Sequence, residues 1–365
     1  MLSAAHPPDD TRVVRKEGAA LAAAGWTVAH VAPSRVAVPP AVAGVSLRPY
    51  RGDRRRIARL PGLLRLALRS GAAVLHASEP DAWFVALLAA RFSGARVVLD
   101  VHEHYPSRLD GRVPGWLRPL VRGAIRLACR AAAAGADAIV VAKDGLAEDF
   151  GAAERIVAVR NYAAMPNIAP RRHGPGALRL LHLGALGASR GALLLPDILA
   201  LSPAGTVLTL LGRFTDGSEA AFLARARERG VQERITLTGW MPAEAALAET
   251  ARHDIGLVLF QPGVENHRLA LPHKLFDCMA AGLPVIAPAF ATEVATVVRG
   301  AGCGLLADVA DAGAVAAAVT ALAQPERRAA LGAAGRAAVA GDFGWEGEAR
   351  KLVDLYGRLA PPRRG

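Results

Sequence analysis

The stretch 271–287, LPHKLFDCMAAGLPVIA, places a helix, a stop and a buried strand in one short run. The helix carries Lys274 and Asp277, halts at Ala281-Gly282 and passes through Pro284 into the strand. Helix N-termini favour anions, so a lysine in the first turn is oddly placed for stability alone. It suits a site where phosphates meet free backbone N–H groups and an ammonium. Asp277 follows three residues later on the same helix face, where a carboxylate can accept ribose hydroxyls. A solvated Lys–Asp pair at i, i+3 fits the spacing equally well.

Outward from this run, the second half of the chain alternates short apolar strands (178–183, 206–211, 234–238, 255–259, 284–287, 303–306) with helices at 217–229, 243–251, 273–281 and 311–340. The first half repeats the rhythm, with strands at 26–32, 73–76, 96–101 and 138–141 and helices at 11–24, 55–70, 80–92 and 114–134. Such alternation implies parallel sheets with helices on both faces. The 365 residues suit two such domains. The Pro- and Gly-containing run 163–177 reads as the linker. The expected domains are 1–168 and 176–342, with an amphipathic helix at 343–360 crossing back onto the first. Two doubly wound domains facing each other would share a ligand cleft at the carboxyl ends of their strands.

Composition narrows the classes. Three separated cysteines (Cys129, Cys278, Cys303) form no CxxC pair, which argues against a disulfide framework and a zinc site. No uninterrupted apolar run is long enough to span a bilayer. Residues 1–8 lack a basic start before an apolar run, so the expectation is a cytoplasmic protein. Gly184, Gly187 and Gly191 give G-x-x-G-x-x-x-G rather than the dinucleotide fingerprint.

The net charge of +12 is concentrated in the first half, where residues 1–165 hold 23 Lys/Arg against 14 Asp/Glu, or +9. Arginines 48, 51, 54, 55, 56, 59, 65 and 69 interleave with Ile57, Leu60, Leu63, Leu64, Leu66 and Leu68. That pattern reads as a basic amphipathic surface for anionic lipid, at the inner face of the cytoplasmic membrane. Arg118, Arg122, Arg126 and Arg130 would stripe a second helix. A solvated face explains both series as well. No nucleic-acid-binding motif is present, so nucleic acid is not an expected partner.

The chain resembles the retaining family 4 glycosyltransferases. The likeness rests on the 271–287 run, on Asp9-Asp10-Thr11-Arg12-Val13 with Arg15-Lys16-Glu17, on Asp100-Val101-His102-Glu103, and on Arg160-Asn161-Tyr162. It continues in Leu183-Gly184 with Ser189-Arg190-Gly191, Leu237-Thr238-Gly239-Trp240-Met241-Pro242, His253-Asp254-Ile255-Gly256-Leu257 and Phe343-Gly344-Trp345-Glu346. The resemblance implies a GT-B fold of two Rossmann-like domains, a nucleotide-sugar held mainly by the second domain, and a glycan or lipid-linked acceptor on the first. It also implies transfer with retention, with neither metal nor cofactor, basic groups offsetting the diphosphate. Lys274 and Arg190 would contact the diphosphate, Asp277 the ribose, and His102 the donor sugar near its reacting carbon. Gly184 and Gly212 would line the donor site, and His6, Asp10 and Glu103 the acceptor side.

Two positions depart from the pattern. Leu269 stands where the family has the first of two acidic residues, and Ala185 where it often has arginine. They keep in view a non-catalytic GT-B homologue acting as a binding subunit; a nucleotide-sugar epimerase, which would need no acceptor, is a further reading of the same architecture.

Overall fold

The computed structural model describes all residues except 53, 54, 152 and 361–365. The chain divides into two units, Met1–Asn161 with Trp345–Gly365, and Tyr162–Gly344. The division falls earlier than residue 168. The expected linker belongs to the second unit, where Arg171 donates its backbone N–H to Ala281 and forms an ion pair with Asp254 at 2.8 Å.

The first unit contains β1 (Val28–Ser34), β2 (Ala41–Val42), β3 (Val45–Arg51), β4 (Val74–Ala77), β5 (Arg96–Val101), β6 (Ala138–Val141) and β7 (Ile156–Ala158). Leu2 bridges Val31 of β1 and Ala77 of β4, both in parallel. The sheet therefore runs β2-β3-β1-Leu2-β4-β5-β6-β7, with only β2 and β3 antiparallel. Their hairpin turns at Ala43-Gly44, both at positive φ (50° and 80°), the turn that matches strand twist. The sequence reading places no strand there, because Arg48, Pro49 and Arg51 hide the alternation. The basic run 48–69 is consequently not one amphipathic element: Arg48 and Arg51 lie on β3, and Arg54 lies outside the described residues.

From β3 the chain steps across the sheet to β4, β5 and β6 through α2 (Arg56–Arg69), α3 (Pro80–Ser93) and α4 (Arg118–Ala134). Right-handed crossovers in one direction set all three helices on the same face. The step from Leu2 to β1 runs the other way, so α1 (Ala19–Ala23) covers the opposite face. A π-helical segment, Val13–Gly18, leads into α1. The expected helix over 11–24 is thus a wide turn followed by a short helix.

The second unit contains β8 (Arg179–Leu183), β9 (Val207–Leu211), β10 (Ile235–Leu237), β11 (Ile255–Leu257), β12 (Val285–Pro288) and β13 (Gly304–Ala307). Their order, β10-β9-β8-β11-β12-β13, is parallel throughout and reverses direction between β8 and β11. Helices α5 (Leu195–Leu201), α6 (Glu219–Glu228), α7 (Ala243–Thr250), α8 (Glu265–Arg268), α9 (His273–Ala280), α10 (Thr292–Ala301), α11 (Ala312–Ala321) and α12 (Pro325–Ala340) cover its faces. The helix expected over 311–340 is two helices. Pro325, which lacks an N–H, starts α12 at a position where none is needed. Leu181, Leu275, Phe276, Met279 and Leu283 are buried in one core, and Leu180, Leu195, Ile198 and Phe222 in another.

The last helix, α13 (Trp345–Leu359), belongs to the first unit. Its Trp345, Leu352, Leu355 and Tyr356 share a core with Val14, Leu21, Val98 and Val140. The sequence period of 345–359 arises from this buried stripe.

Candidate functional site

In an open parallel sheet, the crevice at a reversal of strand order binds ligands. In the second unit that point lies beyond the carboxyl ends of β8 and β11. Gly184 follows β8 at φ 94°, and Gly212 follows β9. A Cβ on Gly212 would sit 1.9 Å from the Gly184 carbonyl oxygen, so the loops approach this closely because residue 212 is glycine, while Gly184 is required by its positive φ. The next turn is pinned by Asp216, whose carboxylate accepts the Ala188 N–H at 2.7 Å and the Ser218 hydroxyl at 2.6 Å. Gly191, at φ 80°, passes so near β11 that a Cβ would meet the Leu259 carbonyl at 2.5 Å.

This loop sets Arg190 with its guanidinium carbon 5.7 Å from the Phe260 ring centroid. Lys274, in the first turn of α9, brings its ammonium 5.4 Å from the same ring. His182 of β8 is buried, its Nε2 3.5 Å from the Lys274 nitrogen and its Nδ1 without a partner among the described residues. No carboxylate pairs with Lys274 or Arg190 among the described residues. Burial, then the charge of Arg190, lowers the Lys274 pKa to about 7. Burial, then the charge of Lys274, holds His182 far below its ordinary value, so its imidazole is neutral. No side chain caps the N-terminus of α9. Cationic groups thus converge on an aromatic ring with no counter-ion, an arrangement that an anion would complete.

Asp277 does not pair with Lys274. Its carboxylate meets His273 Nδ1 at 2.9 Å, one turn back on α9, while Lys274 turns into the buried pocket. The solvated Lys–Asp pair that the spacing allowed is therefore absent. Leu269 is buried, and the nearby Glu265 pairs with Arg268 at 2.6 Å.

The first unit holds a cluster of a different kind. Glu79, just before α3, accepts the backbone N–H groups of Ala4, Ala5 and His6 and the Ser3 hydroxyl, fixing the loop after Leu2. Asp10 accepts His6 Nδ1 at 3.0 Å and the N–H groups of Arg12 and Val13. Burial works against ionisation of Asp10, but the His6 bond and the Val13 N–H outweigh it and leave a pKa of about 2. The His6 ring meets the His102 ring edge-on at 4.9 Å. His102 Nε2 contacts Asp100 at the end of β5. A cavity of about 420 Å³ opens beside His6, lined by Ala5, Pro8, Asp9, Pro33, Arg35 and Arg59 among others.

Behind His102, Asp100 is fully buried and meets Arg12 at 3.1 Å and His76 at 3.5 Å. Arg12 also meets Glu17, on the π-helical segment, at 2.7 Å, and Glu17 lies 3.4 Å from His76. The other nitrogen of His76 bonds the Tyr356 hydroxyl of α13 at 2.8 Å. Burial opposes every charge here. Arg12 and then His102 nevertheless hold Asp100 well below its ordinary range, while Asp100 and Glu17 raise His76. Arg12 and His76, whose protonated form the two carboxylates favour, lie between Asp100 and Glu17. Glu17, His76 and Asp100 also offer atoms at metal-ligand spacing, but the Arg12 guanidinium already occupies the place of a cation among them.

Asp100, Glu103 and His104 are neighbours in sequence, but the structure separates them. Glu103 is half-exposed and pairs with Arg108 at 3.5 Å, while His104 bonds Ser107 and meets Asp149. His182, Phe260, His76, Glu79 and Tyr356 were missed as site residues. The available signal was an ionisable side chain within a buried strand, as at His76, Asp100 and His182.

Parallel doubly wound sheets, with a cationic pocket at the switch point of the second, define a two-domain α/β protein of the GT-B type. Residues 11–168 match the glycosyl transferase 4-like domain, and residues 177–325 match glycosyl transferases group 1. The chain belongs to the glycosyltransferases built from these two domains. The fold is similar to Anabaena HepE, crystallised with UDP, with a TM-score of 0.74 and 13% identity over 98% of each chain. Sucrose-phosphate synthase of Thermosynechococcus elongatus aligns with a TM-score of 0.72 and 20% identity, over 94% of this chain and 91% of that one. WaaG, a glycosyltransferase of lipopolysaccharide biosynthesis, aligns at 0.64 and 16% identity, over 92% and 93%. No curated protein sequence matches the chain.

Proposed function

We propose that the chain transfers a sugar from a nucleoside-diphosphate sugar to a glycan or lipid-linked acceptor, with retention of anomeric configuration. The observation that carries this reading is the pairing of Lys274 and Arg190 over Phe260 without a carboxylate. A leaving diphosphate supplies the missing negative charge, and fixed cations stabilise it as the glycosidic bond breaks. Because protein cations fill that role, the reaction is proposed to need no metal. Asp277 is assigned to the ribose and His102 to the donor sugar, with His6 and Asp10 on the acceptor side. Glu103 is not retained there, since its carboxylate is engaged with Arg108 at the surface. Uridine is the first base to test, since HepE is also crystallised with UDP-glucose.

The deciding experiment is a thermal-shift screen against UDP, GDP, ADP and CMP, followed by turnover with the sugar conjugate of whichever nucleotide binds. At a hundred times its Kd, a nucleotide stabilises its domain by about 2.7 kcal/mol. Binding that Lys274→Ala removes, with turnover that survives a chelator, supports the proposal. Turnover restored only by added divalent metal would overturn its metal-independent part. Leu269 favours one second reading: with an apolar side chain buried where an acid is expected, the chain would bind nucleotide without transferring sugar. Binding without turnover, across sugar conjugates and acceptors, would establish that reading instead.

A further inference from the structure

β8 reads Arg-Leu-Leu-His-Leu, and its leucines are core residues: Leu180 joins one core of the second unit, Leu181 and Leu183 the other. His182 is fully buried among them, and packing alone would favour a fourth leucine. Its Nδ1 has no partner among the described residues, and an unpaired buried polar atom is a cost that leucine would not carry. The other nitrogen, Nε2, lies 3.5 Å from Lys274 Nζ and 3.4 Å from the Arg190 backbone carbonyl oxygen. A histidine that the core does not need thus touches both residues whose side chains share the Phe260 ring.

An imidazole nitrogen carries either a proton or a lone pair. With a proton, Nε2 can donate to the Arg190 carbonyl; with a lone pair, it can accept from the Lys274 ammonium. A hydrogen bond from an ionised donor is roughly twice as strong as a neutral one, so the second state wins whenever Lys274 is charged. The side chain at 182 therefore sets the charge that the pocket offers. A carboxylate would pair with the ammonium and cancel that charge. An aliphatic side chain would leave the ammonium only a ring face and favour the neutral amine. A neutral imidazole supplies an acceptor and leaves the charge uncancelled. No other ionisable group nearby can do the same. Arg190, on the loop after β8, and His267 on α8, 5.1 Å from the Phe260 centroid, bring no negative charge. Cys278, one turn along α9, is a thiol that burial pushes up to about 12. Asp277 meets His273, and Asp216 holds Ala188 and Ser218.

We propose that His182 is a positioning residue of the cationic pocket, its unprotonated Nε2 accepting the Lys274 ammonium and keeping it charged, beside Arg190, for an anionic ligand. It acts through Lys274. Burial and Arg190 bring the Lys274 pKa to about 7, so the amine and the ammonium are near balance and one hydrogen bond tips it. The use made of this charge rests on the reading of the pocket as a diphosphate site. The coupling of His182 to Lys274 is a property of the protein alone, measurable without a nucleotide.

The chain has four lysines, Lys16, Lys143, Lys274 and Lys351, so labelling lysine Cε with carbon-13 gives few signals, and Lys274→Ala assigns the one of interest. Its NMR titration reads the Lys274 midpoint directly in the full chain without ligand. His182→Leu should lower that midpoint by about one pH unit, a tenfold shift toward the amine. Should the leucine variant not fold, His182→Phe keeps a ring, removes the acceptor and carries the same expectation. His182→Gln restores an acceptor and should keep the midpoint near the parent's. An apolar variant that titrates like the parent, or a glutamine variant displaced as far as the apolar one, would overturn the proposal. Calorimetry with UDP and with pyrophosphate then tests what the charge is for. The apolar variant should bind about fivefold more weakly at pH 7 and almost as well as the parent at about pH 5.5, where both ammonium groups are formed. Affinity unchanged at every pH despite a shifted Lys274 would overturn the link between that charge and the ligand. A shifted Lys274 in a protein that binds neither probe would leave the coupling standing and remove the diphosphate reading.

Discussion

The two units bury ionisable groups in opposite ways. In the first, Arg12, Glu17, His76 and Asp100 close a balanced network around the base of His102. In the second, Lys274 and Arg190 share a ring with neutral His182 and no acid. A network whose opposite charges offset one another needs no ligand to neutralise it, so it stabilises its fold and holds a side chain in place. An unbalanced one is a cost to the empty fold that a bound anion removes. On the function proposed above, the difference separates residues that maintain a site from residues that wait for a substrate.

The largest effect should come from breaking the balance. Asp100→Ala leaves Arg12 and His76 beside one carboxylate, and losing one partner of a buried charge network costs about 3–5 kcal/mol. Urea unfolding followed by a first-unit probe, such as Trp83 fluorescence, should show that loss. Trp83 donates to the Asp100 backbone carbonyl, so it reports locally. An unchanged midpoint would mean the network is not a structural unit.

Lys274→Ala should behave in the opposite sense. It removes a buried, uncompensated amine, so the empty second unit should be no less stable than the parent. Nucleotide affinity should nonetheless fall by roughly 10–100-fold, the worth of a charge-assisted hydrogen bond to phosphate. Calorimetric titration with UDP measures the second effect and thermal unfolding the first. A variant that unfolds but still binds would reverse the roles assigned to the two units.

The same contrast sets opposite pH dependences. The pKa of Lys274 falls from 10.5 to about 7 on folding, so between those values the unfolded chain holds the extra proton. Its contribution to second-unit stability therefore rises with pH across that window. His76 is raised above 6.5, so its contribution to the first unit is complete below 6.5 and is lost as pH climbs through the folded value. Nucleotide affinity should also weaken above about pH 7 as Lys274 loses its proton. Unfolding curves for the two units that shift together with pH would contradict this assignment.

Much of the second unit was legible because parallel strands buried on both faces read as continuous apolar runs, and the loop glycines mark where backbones meet. Lys274 and Arg190 stood out because a cation at those positions does nothing for local stability. The rest was hidden for physical reasons. A histidine within a strand, as at His76 or His182, has the same local pattern whether it is inert core or part of a network. β3 was hidden by surface arginines, and the π-helical segment has no periodic signature of its own. The outward face of α4 was hidden because an arginine stripe looks solvent-directed until tertiary structure shows the acids, Asp110 and Asp149, that draw Arg122 and Arg126 aside. Only then does the leucine face of α4 emerge as the outward one.

The smallest predicted effect probes how far the balanced network extends. Tyr356 comes from α13, far along the chain, yet its hydroxyl meets His76 and its ring packs edge-on against Trp26 at 5.3 Å. Tyr356→Phe keeps the ring and removes one hydrogen bond, so the first unit should lose about 1 kcal/mol. Tyr356→Ala should lose about 3–5 kcal/mol, because the core shared with Leu352 and Val98 loses an aromatic side chain. The ratio of the two costs is the informative quantity. If the Phe variant costs nearly as much as the Ala variant, the hydroxyl is an integral member of the charge network and His76 depends on it for orientation. If the Phe variant costs nothing, α13 contributes packing alone and the network ends at His76.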